Sequence, residues 1–238
     1  MKKELHLYVV APERDFLLPY LQRAVPEAVF VDSPTIADRC FMISSVDVYA
    51  ADCGTLIDEK AAVDASSVWS CREAEFTDTC RAARKTAVIL RAADIVGTGM
   101  TGWMRELAER IWKGTLLHFK GNEARVSVVH ASDVAAAVAA AARLESNPEG
   151  CYNITDGDNP AFHDLVEALA FRMNNKHVST LSTKGQLWLG RFFYGRRLYR
   201  RFTTTRTFDC SAFCRLTGFQ PTAVVSYLRT HVYDESSL

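Results

Sequence analysis

The chain has 238 residues, of which 48% are hydrophobic and 24% charged, enough for one sizeable core and too apolar for a disordered segment. Lys+Arg and Asp+Glu both number 28, so no global field draws it to nucleic acid or an anionic membrane, and any such partner must meet a local patch. Seven cysteines without a Cys-x-x-Cys pair argue against a disulfide framework, and Cys210 and Cys214, one helical turn apart, lack further ligands, so no metal is expected.

The start, Met1-Lys2-Lys3-Glu4, runs into a short alternating segment that Pro12 interrupts. It is too short for a signal peptide or a membrane span, and a cytoplasmic protein is expected. Residues 5–10 alternate as a strand does, and 16–24 carry apolar residues at helical spacing. Residues 28–31, 41–45 and 87–91 are further strands, with a helix over 67–84. This βαβ rhythm predicts an α/β fold with a parallel sheet and right-handed crossovers.

Residues 102–113 read as a helix and 124–129 as a strand. Ser132-Asp133 then caps an alanine-rich helix over 134–144, whose small side chains allow close approach to a sheet. A short strand over 151–154 precedes the turn Asp156-Gly157-Asp158-Asn159-Pro160, and the remainder is helical with loops.

Five segments stand in a telling order. They are Ile43-Ser44-Ser45-Val46-Asp47-Val48-Tyr49, then Ile89-Leu90-Arg91-Ala92-Ala93-Asp94-Ile95-Val96-Gly97, then Val128-Val129-His130-Ala131-Ser132-Asp133-Val134-Ala135, then Tyr152-Asn153-Ile154. The fifth is Phe208-Asp209-Cys210-Ser211 with Leu216-Thr217-Gly218-Phe219-Gln220-Pro221. Together they resemble the extended short-chain dehydrogenase/reductases, the superfamily of NAD-dependent nucleotide-sugar epimerases and dehydratases and of 3β-hydroxysteroid dehydrogenase-like enzymes.

The resemblance implies a Rossmann-like parallel sheet with helices on both faces and a reduced N-terminal half over 1–160. A small, mostly helical substrate-type region over 161–238 packs on it. It places the family's catalytic Ser or Thr at Ser45, puts Ala92 and Asp94 where the family has Pro and Asn, and implies NAD(P) as cofactor. Asp47 and Asp94 become candidate substrate contacts.

Two expected features of that chemistry are absent from the sequence. A dinucleotide needs a glycine-rich turn after the first strand, because only glycine lets the backbone approach the pyrophosphate at a helix N-terminus. There is no glycine before Gly54, and Ala11-Pro12-Glu13-Arg14-Asp15 occupies that turn with two carboxylates and one guanidinium. Little more than one helix and one strand then precede the Ser-Ser strand, so much of the adenosine-binding half is missing. Asp32, about 20 residues past the turn, stands where a ribose-binding carboxylate falls.

Proton transfer in the family uses Tyr-x-x-x-Lys, in which the ammonium one turn away keeps the phenol acidic. None of the eight tyrosines has Lys four residues later, and aligning Ala74-Glu75 with the family's Ala-Glu puts Ser67 and Cys71 at the Tyr and Lys positions. Tyr49 is expected to pack, Cys71 has only Arg72 as a neighbouring cation, and His118 or His130 could complete a triad only if a serine lay beside it.

Finally, the stretch 187–206 holds Arg191, Arg196, Arg197, Arg200, Arg201 and Arg206 without an acidic residue, interleaved with Trp188 and other aromatics. Its partners are a nucleotide phosphate in the substrate pocket, with Arg196, Arg197 and Arg200 as contacts, or a membrane surface or acidic protein. Nucleic acid is disfavoured by the neutral balance; a solvated basic face is the plain alternative. The combined expectation is an epimerase/dehydratase-like protein that has lost hydride transfer, binds NAD(P) weakly or not at all, and acts as a binding or regulatory relative. The alternatives are an active enzyme with atypical NAD(P) binding, and a non-catalytic subunit on a complete paralogue or in a homo-oligomer.

Overall fold

The computed structural model describes residues 4–12, 14–119, 123–174, 179–181, 199–201 and 203–230. Its centre is a five-stranded sheet of β1 (Leu5–Val10), β2 (Ala28–Val31), β3 (Arg39–Ser45), β5 (Ala87–Ala92) and β9 (Gly150–Ile154). The strand order is β2-β1-β3-β5-β9, and every pairing is parallel.

Side chains alternate across this sheet as the strand period of two requires. Leu7, Val9, Phe41, Ile43, Val88 and Leu90 join one apolar cluster with α1 (Arg14–Ala24) and α4 (Ala131–Ala142), which pack on each other. Their neighbours Tyr8, Val10, Cys40, Met42, Ala87 and Ile89 turn to the other face, where Phe76 and Cys80 of α2 (Val68–Ala82) cover them. The expected two-faced architecture is therefore present. Burial of a side chain such as Phe41, fully inaccessible here, contributes about 1.5–3 kcal/mol.

Between β2 and β3 the chain uses no helix, only a 3₁₀ turn over Pro34–Ile36, in which the Thr35 N–H donates to the Ser33 hydroxyl. This short link puts β3 directly beside β1. The sheet therefore has the 2-1-3-4-5 order of a doubly wound fold, with its switch point between β1 and β3.

A second apolar cluster joins α3 (Gly102–Trp112), α5 (Phe162–Arg172) and α7 (Val224–Thr230) through Met104, Leu107, Leu165, Leu169, Val224 and Leu228. Two buried carboxylates fasten α7 to the core. Asp133 accepts the Thr222 N–H at 2.6 Å, and Asp156 accepts the N–H groups of Asp158, Asn159 and Val224, each at 3.2 Å.

Three local expectations are corrected. Helix α4 begins at Ala131, and its N-cap is His130, whose Nδ1 accepts the Ser132 N–H at 3.2 Å, so Asp133 belongs to the first turn rather than to the cap. The strand expected over 124–129 is instead β8 (Val128–His130), paired with β6 (Asp94–Val96). The C-terminal stretch expected to be helical with loops carries β10 (Ser179–Leu181) against β7 (Leu117–Phe119) and β11 (Arg206–Phe208) against β4 (Gly54–Ile57), besides α6 (Ser211–Thr217). Among the described residues no helix is long and apolar enough to cross a membrane.

Candidate functional site

Strands β1, β3 and β5 deliver Pro12, Ser45 and Ala93 to one edge, where a crevice opens at the switch point. Its inner part is a cavity of about 210 Å³, closed on two sides by Trp69 from α2 and Trp103 from α3. A wider cleft of about 440 Å³ shares Asp47, Asp94 and Trp103 with it and opens toward Arg200, Arg201 and Arg206.

The positions that resemble catalytic ones make local structural contacts. Ser45 accepts the Asp47 N–H at 3.1 Å and so caps the 3₁₀ turn over Val46–Val48. Ser67 is the N-cap of α2 and accepts the Ser70 N–H at 3.0 Å, while Cys71 is exposed on that helix. Tyr49 is buried as expected of a packing residue: its hydroxyl donates to Asn153 Oδ1 at 2.7 Å, and its ring stacks on Phe208. His130 caps α4 between the rings of Tyr20 and Tyr227, and its Nδ1 lies 2.6 Å from the Ser132 hydroxyl; the side chain of His118 lies outside the described part.

Behind the crevice lies a buried ion pair. Arg91 on β5 donates to both carboxylate oxygens of Glu73 on α2, at 3.0 and 2.8 Å, and the Ser44 hydroxyl donates to Glu73 at 2.6 Å. The Arg91 guanidinium also covers the Tyr49 ring at 5.0 Å. Both charges are almost inaccessible, so the bidentate geometry and the added hydroxyl offset a large desolvation cost. This network ties helix to sheet.

The cleft itself is organised by two carboxylates around one guanidinium. Arg201, in the helical turn 199–201, donates to Asp94 at 2.9 Å and to Asp47, and Arg206 donates to Asp47 at 2.8 Å. Trp103 donates its indole N–H to Asp94, and Arg201 lies over the Trp103 ring at 5.2 Å. Burial acts to raise the Asp47 carboxyl, but the charges of Arg201 and Arg206 outweigh it and hold it below the ordinary range. Burial prevails at Asp94 and pushes its carboxyl up against the pull of Arg201, with the Asp47 charge adding to the rise. The two neighbouring carboxyls are thus shifted in opposite directions.

Of the expected contacts, Asp47 and Asp94 meet in this cleft. Arg200 borders it and pairs with Asp52 at 2.8 Å, with about half its side chain exposed. Arg191, Arg196, Arg197 and Trp188 lie outside the described residues. Asp32 is exposed and directly follows β2, on the far side of β1 from the cleft. Sequence reasoning named Arg201 and Arg206 in the basic stretch but did not set them against Asp47 and Asp94. The available signal was an acid-free run of arginines set against Asp47 and Asp94, which the resemblance had already made candidate substrate contacts.

The model of the family described as "NAD dependent epimerase/dehydratase family" matches residues 25–155, more than half of the chain. The chain belongs to that family. The match begins after the turn at Pro12. No curated protein matches. Among solved structures, a UDP-N-acetylglucosamine 4-epimerase from Bacillus cereus superposes with a TM-score of 0.65 at 12% identity, over 95% of this chain and 100% of that chain. RMD from Pseudomonas aeruginosa complexed with NADPH gives 0.65 at 13% identity, over 94% and 95%. The human epimerase family protein SDR39U1 (isoform 2) with NADPH gives 0.57 at 16%, over 91% and 72%. At such identities the likeness is one of fold.

The family implies NAD(P), and the residues here can be set against it. The turn after β1 lacks glycine, and past it Gly97 and Gly99 bring the loop after β6 onto α1, where Tyr20 exchanges hydrogen bonds with both Thr98 backbone groups. A Cβ on Gly97 would meet the Tyr20 oxygen and Ala131 at 3.0 Å, and one on Gly99 would meet Phe16 at 3.3 Å. Among the described residues no cluster of three or more His, Cys, Asp or Glu could hold a metal ion.

Proposed function

We propose that this family member binds a nucleotide-sugar-type ligand in the Asp47/Asp94/Arg201 cleft and carries out no hydride transfer. The observation that carries the proposal is the reassignment of the crevice. The inner cavity of about 210 Å³ falls below the roughly 300–1,000 Å³ of small-molecule sites, whereas the outer cleft of about 440 Å³ falls within it. The residues at the turn and in the inner cavity do not fit a dinucleotide, because the backbone donors that a glycine turn would aim at a pyrophosphate are replaced by Pro12 and a neighbouring carboxylate.

The outer cleft suits a hydroxyl-rich ligand bearing phosphate. Asp47 and Asp94 supply acceptors, Trp103 an aromatic wall, and Arg200 a half-exposed guanidinium at the mouth. Calorimetry with UDP-glucose and UDP-N-acetylglucosamine tests this. Saturable binding is expected, and Arg200→Gln should weaken it about tenfold, or 1.4 kcal/mol, without lowering the melting temperature. Absence of binding at about millimolar ligand refutes the reading.

An active enzyme with atypical NAD(P) binding is the second reading. The placement of Asp32 at the C-terminal end of β2, beside β1, favours it, since a ribose-binding carboxylate occupies that end of the second strand. Turnover of a nucleotide sugar dependent on added NAD and on Asp32 would establish it.

A further inference from the structure

Helix α3 separates two cavities. Trp103 faces the cleft described above, whereas Arg105, Ala108, Glu109 and Trp112 line a second cavity of about 580 Å³. At about 100° per residue, Trp103 stands some 160° from Arg105 around the helix, so the two cavities lie on opposite sides. The second one is enclosed by α1, α3, α5, α7 and the glycine loop after β6.

Its walls are largely apolar or aromatic. Tyr20, His130 and Tyr227 form a row of rings: Tyr20 meets His130 edge-on with centroids 6.1 Å apart, and His130 lies tilted against Tyr227 at 4.3 Å. Leu169 and Met173 continue that wall. Trp112 lies at the mouth with 58% of its surface exposed, an apolar area that a ligand would remove from water.

The charges at the mouth are unequal. Arg23, Arg105 and Arg172 face one acidic residue, Glu109, which pairs with Arg105 at 3.0 Å. Arg172 lies over the Tyr227 ring at 5.7 Å, and Arg23 makes no ion pair among the described residues. Among the described residues that line the cavity, three arginines thus stand with one carboxylate.

We propose that this cavity is a second ligand site, specific for a monoanionic amphiphile such as a medium-chain or aryl carboxylate. The apolar body lies along Tyr20, His130, Tyr227 and Leu169, and the carboxylate meets Arg23 and Arg172 at the mouth. A dianionic phosphate group gains little here, because apolar walls leave its remaining oxygens without donors. A neutral chain uses the walls and forgoes the arginines.

The test uses the full chain, with decanoate, 4-phenylbutyrate and decan-1-ol titrated by calorimetry and by Trp fluorescence. Decanoate or phenylbutyrate is expected to bind saturably with a Kd of roughly 10–100 µM, and more tightly than the alcohol. Arg23→Gln with Arg172→Gln should weaken the acids about tenfold and leave the alcohol within about twofold. Ala108→Phe, which fills the cavity from α3, should abolish all binding; if that variant fails to fold, Trp112→Ala replaces it and should weaken acid and alcohol alike. The proposal is overturned if the acids show no saturable binding to the wild type below about millimolar. It is equally overturned if the double Arg variant keeps its affinity for them, or if the filled or Trp112-less variant binds as the wild type does.

Discussion

Asp156 offers the sharpest energetic prediction. Its side chain is buried, and burial pushes its carboxyl from an ordinary 3.8 up to about 6, even though three backbone N–H groups donate to it and pull the other way. A carboxyl whose folded value lies above its unfolded one favours the fold in its protonated form. Its contribution is therefore fully present below about pH 3.8 and is lost as pH rises through about 6. A rise of about two units corresponds to about 3 kcal/mol, spread over that window at about 1.4 kcal/mol per pH unit.

In Asp156→Asn the group no longer titrates. The amide oxygen can still serve Asp158 and Asn159, but the Val224 N–H loses its acceptor, a constant cost of about 1–2 kcal/mol. Urea unfolding of both proteins from pH 4 to pH 8 gives a difference curve in which Asp94 and Asp133, also raised by burial, cancel. The variant should be the weaker protein at pH 4 and gain about 2.5 kcal/mol relative to wild type by pH 8. A difference constant to about 0.5 kcal/mol would show that the three N–H donors keep Asp156 ionised throughout, and would refute the reasoning.

Glu73→Ala leaves Arg91 buried without its carboxylate and should cost about 3–5 kcal/mol by denaturant titration, with Glu73→Gln costing less because its oxygen still accepts; a loss below about 1 kcal/mol contradicts the network. Asp133→Ala removes the acceptor of Thr222 and should cost about 1–3 kcal/mol, whereas Ser45→Ala, losing one N–H contact at a three-residue turn, should change stability by less than about 1 kcal/mol. Equal losses at both positions would remove the distinction between the fastening of α7 and the Ser45 cap.

The central sheet was legible because β1, β3 and β5 are six or seven residues long and their apolar residues serve two covered faces. Strands β4, β6, β7, β10 and β11, of three or four residues, are too short for a period of two to register. The start of α4 was displaced because Ser132 and Asp133 carry capping oxygens, while the cap is supplied by the ring nitrogen of His130. The cleft was half legible. Asp47 and Asp94 followed from the resemblance, but Arg201 reaches Asp47 across 154 residues and Arg206 across 159, and no local pattern encodes such pairings. Glu73 sits in a helix of weak amphipathic character, so its burial became evident only with Arg91 beside it.

The proposed function requires that the crevice keep a ligand cleft and no longer hold a dinucleotide. Calorimetric titration of NAD, NADH, NADP and NADPH into the full chain, with the nucleotide content of the purified protein measured first, tests that claim most directly. A Kd of about 1 mM or weaker for each, and no cofactor carried through purification, is the predicted result. A Kd in the low micromolar range, or stoichiometric cofactor bound as purified, would contradict it.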